Sequence, residues 1–503
     1  MTDVDLRPES GRDPQNTAAG ADPRRWRALL ILGLVQFIIF LDATIVNVAL
    51  PSIQHDLGFT AGGLTWVVNG YLLAAGGLLL VGGRLSDLVG RRRMFMIGAS
   101  LFAVASLTAG LAFSPAVLIV ARFAQGIAEA VAAPAAMAIV ALLFTDPRER
   151  AKAFGIWGGL AGLGSTLGVL LSGLLVQVAD WRWIFYLTIP LAVIPLLLAR
   201  RLIDESRMSG GRRPDLLSAV LVTGGLIAII QGLVMVPESS WGGADVLIPL
   251  IGGIAAVVAF LVVQAYSSNP LLPLRFFRNP TRIAGNVTLV FHASASAAIF
   301  FLIVLYMQNV LHYSPMEAGL AWIPLCILFM AGLMISMKLV PKLGFRTVMV
   351  VGLLLMSGGV LWLSGIEVGG SYWADLAPAT ALFGFGGGVS IPAIQAASMQ
   401  DVSMEDAGLG SGVFTTVQQL GQALGLTVIV AIALSGQAAA TADGAAADAA
   451  ATSGYQVALT VAAAVLAAGA LAALVLRRKS APQQDTEPAE ELAPLDETVV
   501  SNS

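Results

Sequence analysis

Three charged residues of this 503-residue chain, Asp42, Arg122 and Glu129, lie deep inside long apolar runs. A charge at membrane depth is costly, so such residues pair with one another or mark a path for ions and cargo. Asp42 follows an apolar start near position 28, which places it about 21 Å from one boundary at 1.5 Å per residue. Arg122 follows Pro115 at the start of its own segment, about 10 Å from the opposite boundary. Across a ~30 Å hydrocarbon core these are the same level. A carboxylate beside an arginine can exchange its salt bridge for a proton, which is proton-coupling chemistry; the same pair also fits a fixed tie between helices. Arg122, Gln125, Gly126 and Glu129 share one helix face by the i, i+3, i+4, i+7 rule, a polar stripe that predicts contact with a wet cavity. Glu129 there could bind a proton in one state and release it in another, attract a cationic substrate, or serve as a structural acid bonded to a neighbour.

The elements that must position these residues are apolar segments of about 20 residues, each long enough to cross a bilayer as a helix. They fall near 28–50, 65–82, 94–112, 117–143, 154–176, 182–200 and 216–236, then 246–265, 283–306, 317–338, 346–366, 374–397, 408–435 and 455–476. Fourteen alternating crossings put 26 of the 28 Lys and Arg residues, all but Arg122 and Arg182, on one side. That bias marks the cytoplasmic face and predicts both termini inside a cell membrane. At 57% hydrophobic and 12% charged residues the chain is too apolar for a soluble multidomain protein, whose charged fraction is about 25%. Nothing in the composition points to nucleic acid, and a monomer is the default expectation. Cys326 is the single cysteine, so an intramolecular disulfide and a cysteine-built metal site are both excluded. No HExxH, GxSxG or G-x-x-x-x-G-K-S/T pattern occurs, so neither an enzyme, a resident cofactor, a metal nor a nucleotide site is expected. The first apolar run lacks a small-residue cleavage site and reads as a retained helix rather than a signal peptide. The 435–454 loop, rich in Ala, Gly, Asp and Thr, fits either a flexible loop or a helical extension.

After the second segment the chain reads Gly83, Arg84, Leu85, Ser86, Asp87, Leu88, Val89, Gly90, Arg91, Arg92, Arg93. Two glycines suit a tight turn. A basic inner loop of this kind also fits a simple positive-inside anchor. The spacing resembles the signature loop of the major facilitator superfamily. That resemblance implies a conformational latch made by Gly83, Arg84, Asp87, Gly90, Arg91 and Arg92, which holds the outward-facing state. The helix starting near Gly408 offers its positive dipole end as a partner. Asp42-Ala43-Thr44-Ile45-Val46-Asn47-Val48-Ala49-Leu50-Pro51, Trp181-Arg182-Trp183-Ile184-Phe185 and Gln418-Gln419-Leu420-Gly421 are similar to stretches of its fourteen-helix drug:proton antiporter branch. Arg122-Phe123-Ala124-Gln125-Gly126 resembles the family's R-x-x-Q-G pattern.

The resemblance implies an all-α integral membrane protein with fourteen transmembrane helices, in which two inserted central helices separate two six-helix bundles. The expected divisions are a disordered cytoplasmic tail 1–24, a bundle 25–200, the inserted pair with linkers 201–282, a second bundle 283–479 and an acidic disordered tail 480–503. A weak echo of the signature loop, Pro341-Lys342-Leu343-Gly344-Phe345-Arg346, fits a repeated six-helix unit. Gly164, Gly168 and Gly173 follow the antiporter glycine motif of the fifth helix, except that Val169 replaces its proline and Ser172 a glycine. Asp42, Arg122 and Glu129 are the expected proton-coupling residues, and the proton is the coupling ion. Gln125, Glu129, His292, Phe300, Trp322 and Phe385 are the expected substrate-cavity residues. His292 also fits a packed neutral histidine, and the aromatic residues also fit ordinary core or lipid contacts. The expected function is export of amphiphilic, cationic or neutral drugs or antibiotics against proton entry. A proton-coupled importer on the same fold, or a non-transporting membrane sensor, are the rival readings.

Overall fold

The computed structural model of the chain describes residues 24–207, 215–236, 239, 242–267, 270–402 and 407–474. Arg7, Arg12, Arg212, Arg213, Glu238, Arg477, Arg478 and Lys479 lie outside the described residues, as do positions 1–23 and 480–503 of the two predicted tails.

Every regular element among the described residues is helical. Lipid offers backbone N–H and C=O groups no partners, and a helix satisfies them within one segment. The first bundle is built from α1 (Arg24–Leu57), α2 (Thr65–Val89), α3 (Arg91–Gly110), α4 (Pro115–Leu143), α5 (Pro147–Val178) and α6 (Trp183–Leu202). The second comprises α9 (Pro280–Leu305), the short α10 (Pro315–Leu320), α11 (Ile323–Leu363), α12 (Ala377–Ser398), α13 (Ala407–Ala442) and α14 (Ala447–Leu474). Between them in sequence, α7 (Leu216–Met235) and α8 (Ala244–Tyr266) pair with each other, and α7 also leans on α2 and α13. Local chemistry sets several starts. Asp146 accepts from the N–H groups of Arg148 and Glu149 with Pro147 at the first helical position, and Asn279 does the same for Thr281 and Arg282 ahead of Pro280.

Among the described residues, length and hydropathy alone distinguish 13 candidate spans, one of them the 49-residue run Pro315–Leu363. Gly344, at φ 75° and ψ 153°, divides α11 into two helices, and the division yields the expected fourteen crossings. The turn carried by the echo of the signature loop is thus a single glycine in a backbone conformation that residues with a Cβ rarely adopt. The 435–454 stretch is a helical extension: α13 continues to Ala442, Gly444 turns at φ 89°, and α14 begins at Ala447.

The bundles meet along α2 against α13 and α5 against α10. On the face away from the arginine-rich loops, Asn69 Nδ2 donates to Thr427 Oγ1 and Gln308 Nε2 to the Val48 carbonyl, both at 2.8 Å. The Met316 N–H reaches Gln177 Oε1 at 3.1 Å on the same face. One apolar cluster there joins Leu41, Val48 and Leu50 of α1 to Ile299, Phe301 and Leu302 of α9. At the arginine-rich end of α5, by contrast, Gly155, Gly158 and Gly159 have open space beside them. The chain is therefore closed on the face away from the arginine-rich loops, the acidic face, where Asp56, Asp180, Asp245, Glu367, Asp443 and Asp448 lie at the helix ends.

Candidate functional site

Asp42 on α1 and Arg122 on α4 meet at 2.5 Å, Oδ2 to Nη1. Both are out of contact with solvent, at 0% and 1% exposure, so each must be satisfied by protein. Arg122 Nε donates to the Val67 carbonyl and Nη1 to Gln125 Oε1, each at 2.8 Å. The Gln125 amide donates onward to Asp42 Oδ1 at 3.2 Å and to Ser106 Oγ at 2.9 Å. The guanidinium also lies 4.6 Å from the centre of the Tyr71 ring, a cation–π distance. Arg122, Gln125 and Asp42 form a closed triangle in which the amide bonds both charged partners. Such an arrangement makes a buried pair tolerable, and removing either charge strands the other.

α5 supports this triangle from behind. A Cβ on Gly168 would stand 2.8 Å from the Leu41 carbonyl oxygen, and one on Gly164 3.3 Å from the Leu41 nitrogen, so both glycines let α5 press on the α1 turn that carries Asp42. Gly173 serves a different contact: its Cβ position is 2.6 Å from the Pro315 carbonyl oxygen at the start of α10. The three glycines thus bind α5 to α1 within the first bundle and to α10 across the bundles.

Arg122, Gln125, Gly126 and Glu129 are all buried, so the polar stripe faces protein here and not the wet cavity its periodicity suggested. A repeat of 3.6 identifies a face and is silent on what covers it. Glu129 Oε1 accepts from Gln419 Nε2 on α13 at 2.8 Å, a contact between bundles. The Tyr71 hydroxyl interacts with Glu129 but falls short of hydrogen-bond geometry.

The expected cavity residues separate. Phe300 stacks on Trp322 with centroids 4.5 Å apart, and Phe383 stands edge-on to Phe300 at 6.5 Å. Phe385 belongs to another cluster, with Leu289 and Val389. His292 is buried with neither ring nitrogen hydrogen-bonded among the described residues.

At the signature loop the two-glycine turn is corrected. Gly83 lies within α2, and Gly90 alone, at φ 122°, separates α2 from α3. Asp87 accepts from Arg91 at 2.8 Å on the adjoining turn, and among the described residues that is its bonded partner. Arg84 donates to the Pro270 carbonyl. Arg92 Nη1 donates to the Ile203 carbonyl at 3.1 Å, and Glu205 accepts from the N–H groups of Arg92 and Arg93 at 3.1 and 3.2 Å. The loop is held by the linkers that flank the inserted helices.

Sequence reasoning did not single out Ser106 or Tyr71, and it noted Gln419 only as part of a motif. An adjacent pair of amides, Gln418 and Gln419, in an apolar helix was the available signal.

A sequence model of the major facilitator superfamily matches residues 32–426. The chain is 37% identical over 480 residues to the puromycin resistance protein pur8 of Streptomyces alboniger, covering 93% of this chain and 95% of that protein. The cephamycin export protein CmcT of Amycolatopsis lactamdurans is 34% identical, with 88% and 91% covered. The lincomycin resistance protein of Streptomyces lincolnensis is 35% identical, with 82% and 85% covered. In fold, the chain resembles an auto-inhibited peptide transporter of the POT family at a TM-score of 0.68 and 14% identity, covering 93% of this chain and 99% of that one. A match that runs through both bundles, with relatives at 34–37% identity along most of their own length, makes this chain a member of the major facilitator superfamily.

Proposed function

We propose that the protein is a drug:proton antiporter that exports amphiphilic, cationic or neutral antibiotics across the cell membrane, with both termini in the cytoplasm. The buried Asp42–Arg122–Gln125 triangle is the observation that carries this reading. A proton arriving at Asp42 neutralises it and frees Arg122 from its counter-charge. The uncompensated Arg122 charge then favours a different surrounding from the salt-bridged pair, so the two protonation states bias the protein toward different arrangements, which is what a coupling site needs. Glu129 supplies a second carboxyl in the same bundle for the same coupling and for attraction of cationic cargo. Relatives named for puromycin, lincomycin and cephamycin support antibiotics as the cargo class.

The moving bodies are residues 25–200 and 283–479, with 201–282 carrying the inserted pair; rocking of one against the other exposes one midplane site to each side in turn. The protein works as a monomer and without a cofactor. Its energy source is the proton gradient, in which the electrical part is worth ~2.3 kcal/mol per charge per 100 mV. The latch assigned to Gly83, Arg84, Asp87, Gly90, Arg91 and Arg92 acts in the opposite, outward-facing arrangement, since here Asp87 is satisfied by Arg91.

The test is efflux of a panel of cationic and neutral antibiotics, puromycin and lincomycin among them, from energised cells with and without the protein, repeated after a protonophore. Protein-dependent export that the protonophore abolishes is the expected result. Protein-dependent accumulation would make the chain an importer and overturn the proposal.

A further inference from the structure

Two seams separate the bundles, one where α2 faces α13 and one where α5 faces α10 and the start of α11. The first is packed along its length. A Cβ on Gly76 would stand 3.0 Å from Gln419 Cβ, and one on Gly412, nearer the arginine-rich face, 2.8 Å from Leu80 Cδ2. The inserted helix α7 leans on both sides of it. Ala219 clusters with Val81, Thr223 fills the space beside Gly77, Leu226 and Ile230 join Leu72 and Ala423, and the Val234 carbonyl oxygen is 3.4 Å from the Cβ position of Gly62. From Ala219 to Val234 that cover runs about 22 Å, most of the hydrocarbon core. α7 packs on α8, α2 and α13, so the inserted pair leaves the second seam uncovered.

Along the second seam the helices diverge toward the arginine-rich face. Gly155, Gly159, Gly162, Thr166, Val169 and Gly173 recur every three or four residues and so share one face of α5. At the acidic end this face is in tight contact: the Cβ position of Gly173 is 2.6 Å from the Pro315 carbonyl oxygen. Midway, Thr166 interacts with Cys326, and the Cβ position of Gly162 is 4.0 Å from Met330 Sδ. Beyond that, Gly155, Gly158 and Gly159 have nothing within 4 Å. Across the gap, Met330, Met334 and Met337 stand at i, i+4 and i+7 on α11, and are 43%, 61% and 69% exposed. Methionine is unbranched and polarisable, and adapts to ligands of different shape. No charged residue occurs in 155–166 or 322–337, so the cleft suits the apolar body of a molecule.

The α11 face leads from this cleft to an unsatisfied donor. Trp322, Cys326 and Met330 are successive fourth residues, and Trp322 is 1% exposed and stacked on Phe300. Its indole Nε1–H has no acceptor among the described residues, although a buried indole N–H ordinarily finds one. A cargo molecule with a carbonyl or ether oxygen would supply that acceptor.

We propose that cargo dissolved in the membrane leaflet on the arginine-rich side enters through the cleft between α5 and α11, passes along the methionine face and accepts a hydrogen bond from Trp322. Membrane entry is one-sided, because α7 covers the other seam. The inference rests on the exporter reading above and adds to it a route and a cargo class, lipid-soluble molecules that carry a hydrogen-bond acceptor.

The experiment measures KM and kcat of export by the full chain in liposomes under an imposed proton gradient. The cargo is every antibiotic of the panel that the unaltered protein exports, ranked by octanol–water partition. Gly158→Leu and Gly159→Leu put a side chain into the open cleft, while the triple variant Met330→Ser, Met334→Ser, Met337→Ser strips its wall without adding bulk. Each should raise KM about tenfold for the most lipid-soluble cargo, and less than about twofold for the most water-soluble. Trp322→Phe keeps the stack, removes the donor and should raise KM across the panel. Val220→Trp, on the exposed side of α7, should change nothing. Equal KM changes for all cargo, no change, or a fall in kcat alone in the cleft variants overturns the route and leaves export standing. An unchanged KM in Trp322→Phe overturns its place as the donor. Absence of gradient-driven export by the unaltered protein overturns the exporter reading and the route together.

Discussion

At the scale of single residues, the protein places Arg122, buried at membrane depth, where three acceptors and a ring converge. Asp42, Gln125, the Val67 carbonyl and Tyr71 surround Arg122, and the geometry uses the planar fork of a guanidinium. Asp42→Asn keeps the shape of the triangle but removes the proton-exchanging group, and its single acceptor oxygen can take only one of the two hydrogen bonds that Asp42 accepts from Arg122 and Gln125. It should abolish protonophore-sensitive efflux while the protein still reaches the membrane and elutes as a folded species. Undiminished efflux in that variant would remove Asp42 from the coupling mechanism. This contact was legible in the chain because rise per residue converts sequence position into depth, and two opposite charges at one depth have a strong reason to meet. The Glu129–Gln419 contact was not legible: its partners are 290 residues apart, on helices of different bundles, and amphipathic periodicity identifies a face without naming its occupant.

At the scale of elements, α5 works as a spacer whose small residues set how close α1 can come. In membranes, helix association depends on close van der Waals approach, so glycine positions decide which helices touch. Gly168→Val should force α5 off the turn that carries Asp42, since even a single Cβ there would lie 2.8 Å from the Leu41 carbonyl oxygen. Transport should fall by at least tenfold, with a lowered thermal midpoint in detergent; wild-type rates would show that α5 does not set the position of Asp42. Val169, which stands where the antiporter motif has proline, is itself buried, and its carbonyl lies 3.1 Å from the Cβ position of Gly319 on α10. Without a proline α5 runs unbroken from Pro147 to Val178 and joins the two bundles as one rod.

At the scale of the molecule, the acidic face is sealed by uncharged hydrogen bonds and apolar packing between the bundles. Asn69 to Thr427 and Gln308 to Val48 are amide contacts, each worth about 0.5–1.5 kcal/mol net. Such a seal is strong enough to hold one state and weak enough to reverse. Gln308→Ala should shift the closed-to-open population of that face toward open by about two- to tenfold, the equivalent of one such bond. Distances between spin labels on the two bundles read this shift, and an unchanged distribution would exclude Gln308 from the seal.

Class, crossing number and sidedness of charge came from the sequence by itself, because apolar length and the placement of Lys and Arg respond to the bilayer, a solvent that acts on every segment independently. The two signature motifs and the shared depth of Asp42 and Arg122 were equally local readings. The turn at Gly344, the burial of the α4 stripe, the separation of Phe385 from the Phe300–Trp322 stack and the reach of Gln419 across Gly76 to Glu129 were decided only in the tertiary structure. Each of these depends on which helices lie side by side. In lipid that choice is made by close packing and buried hydrogen bonds between segments far apart in the chain, and a linear pattern of apolar and polar residues does not encode it.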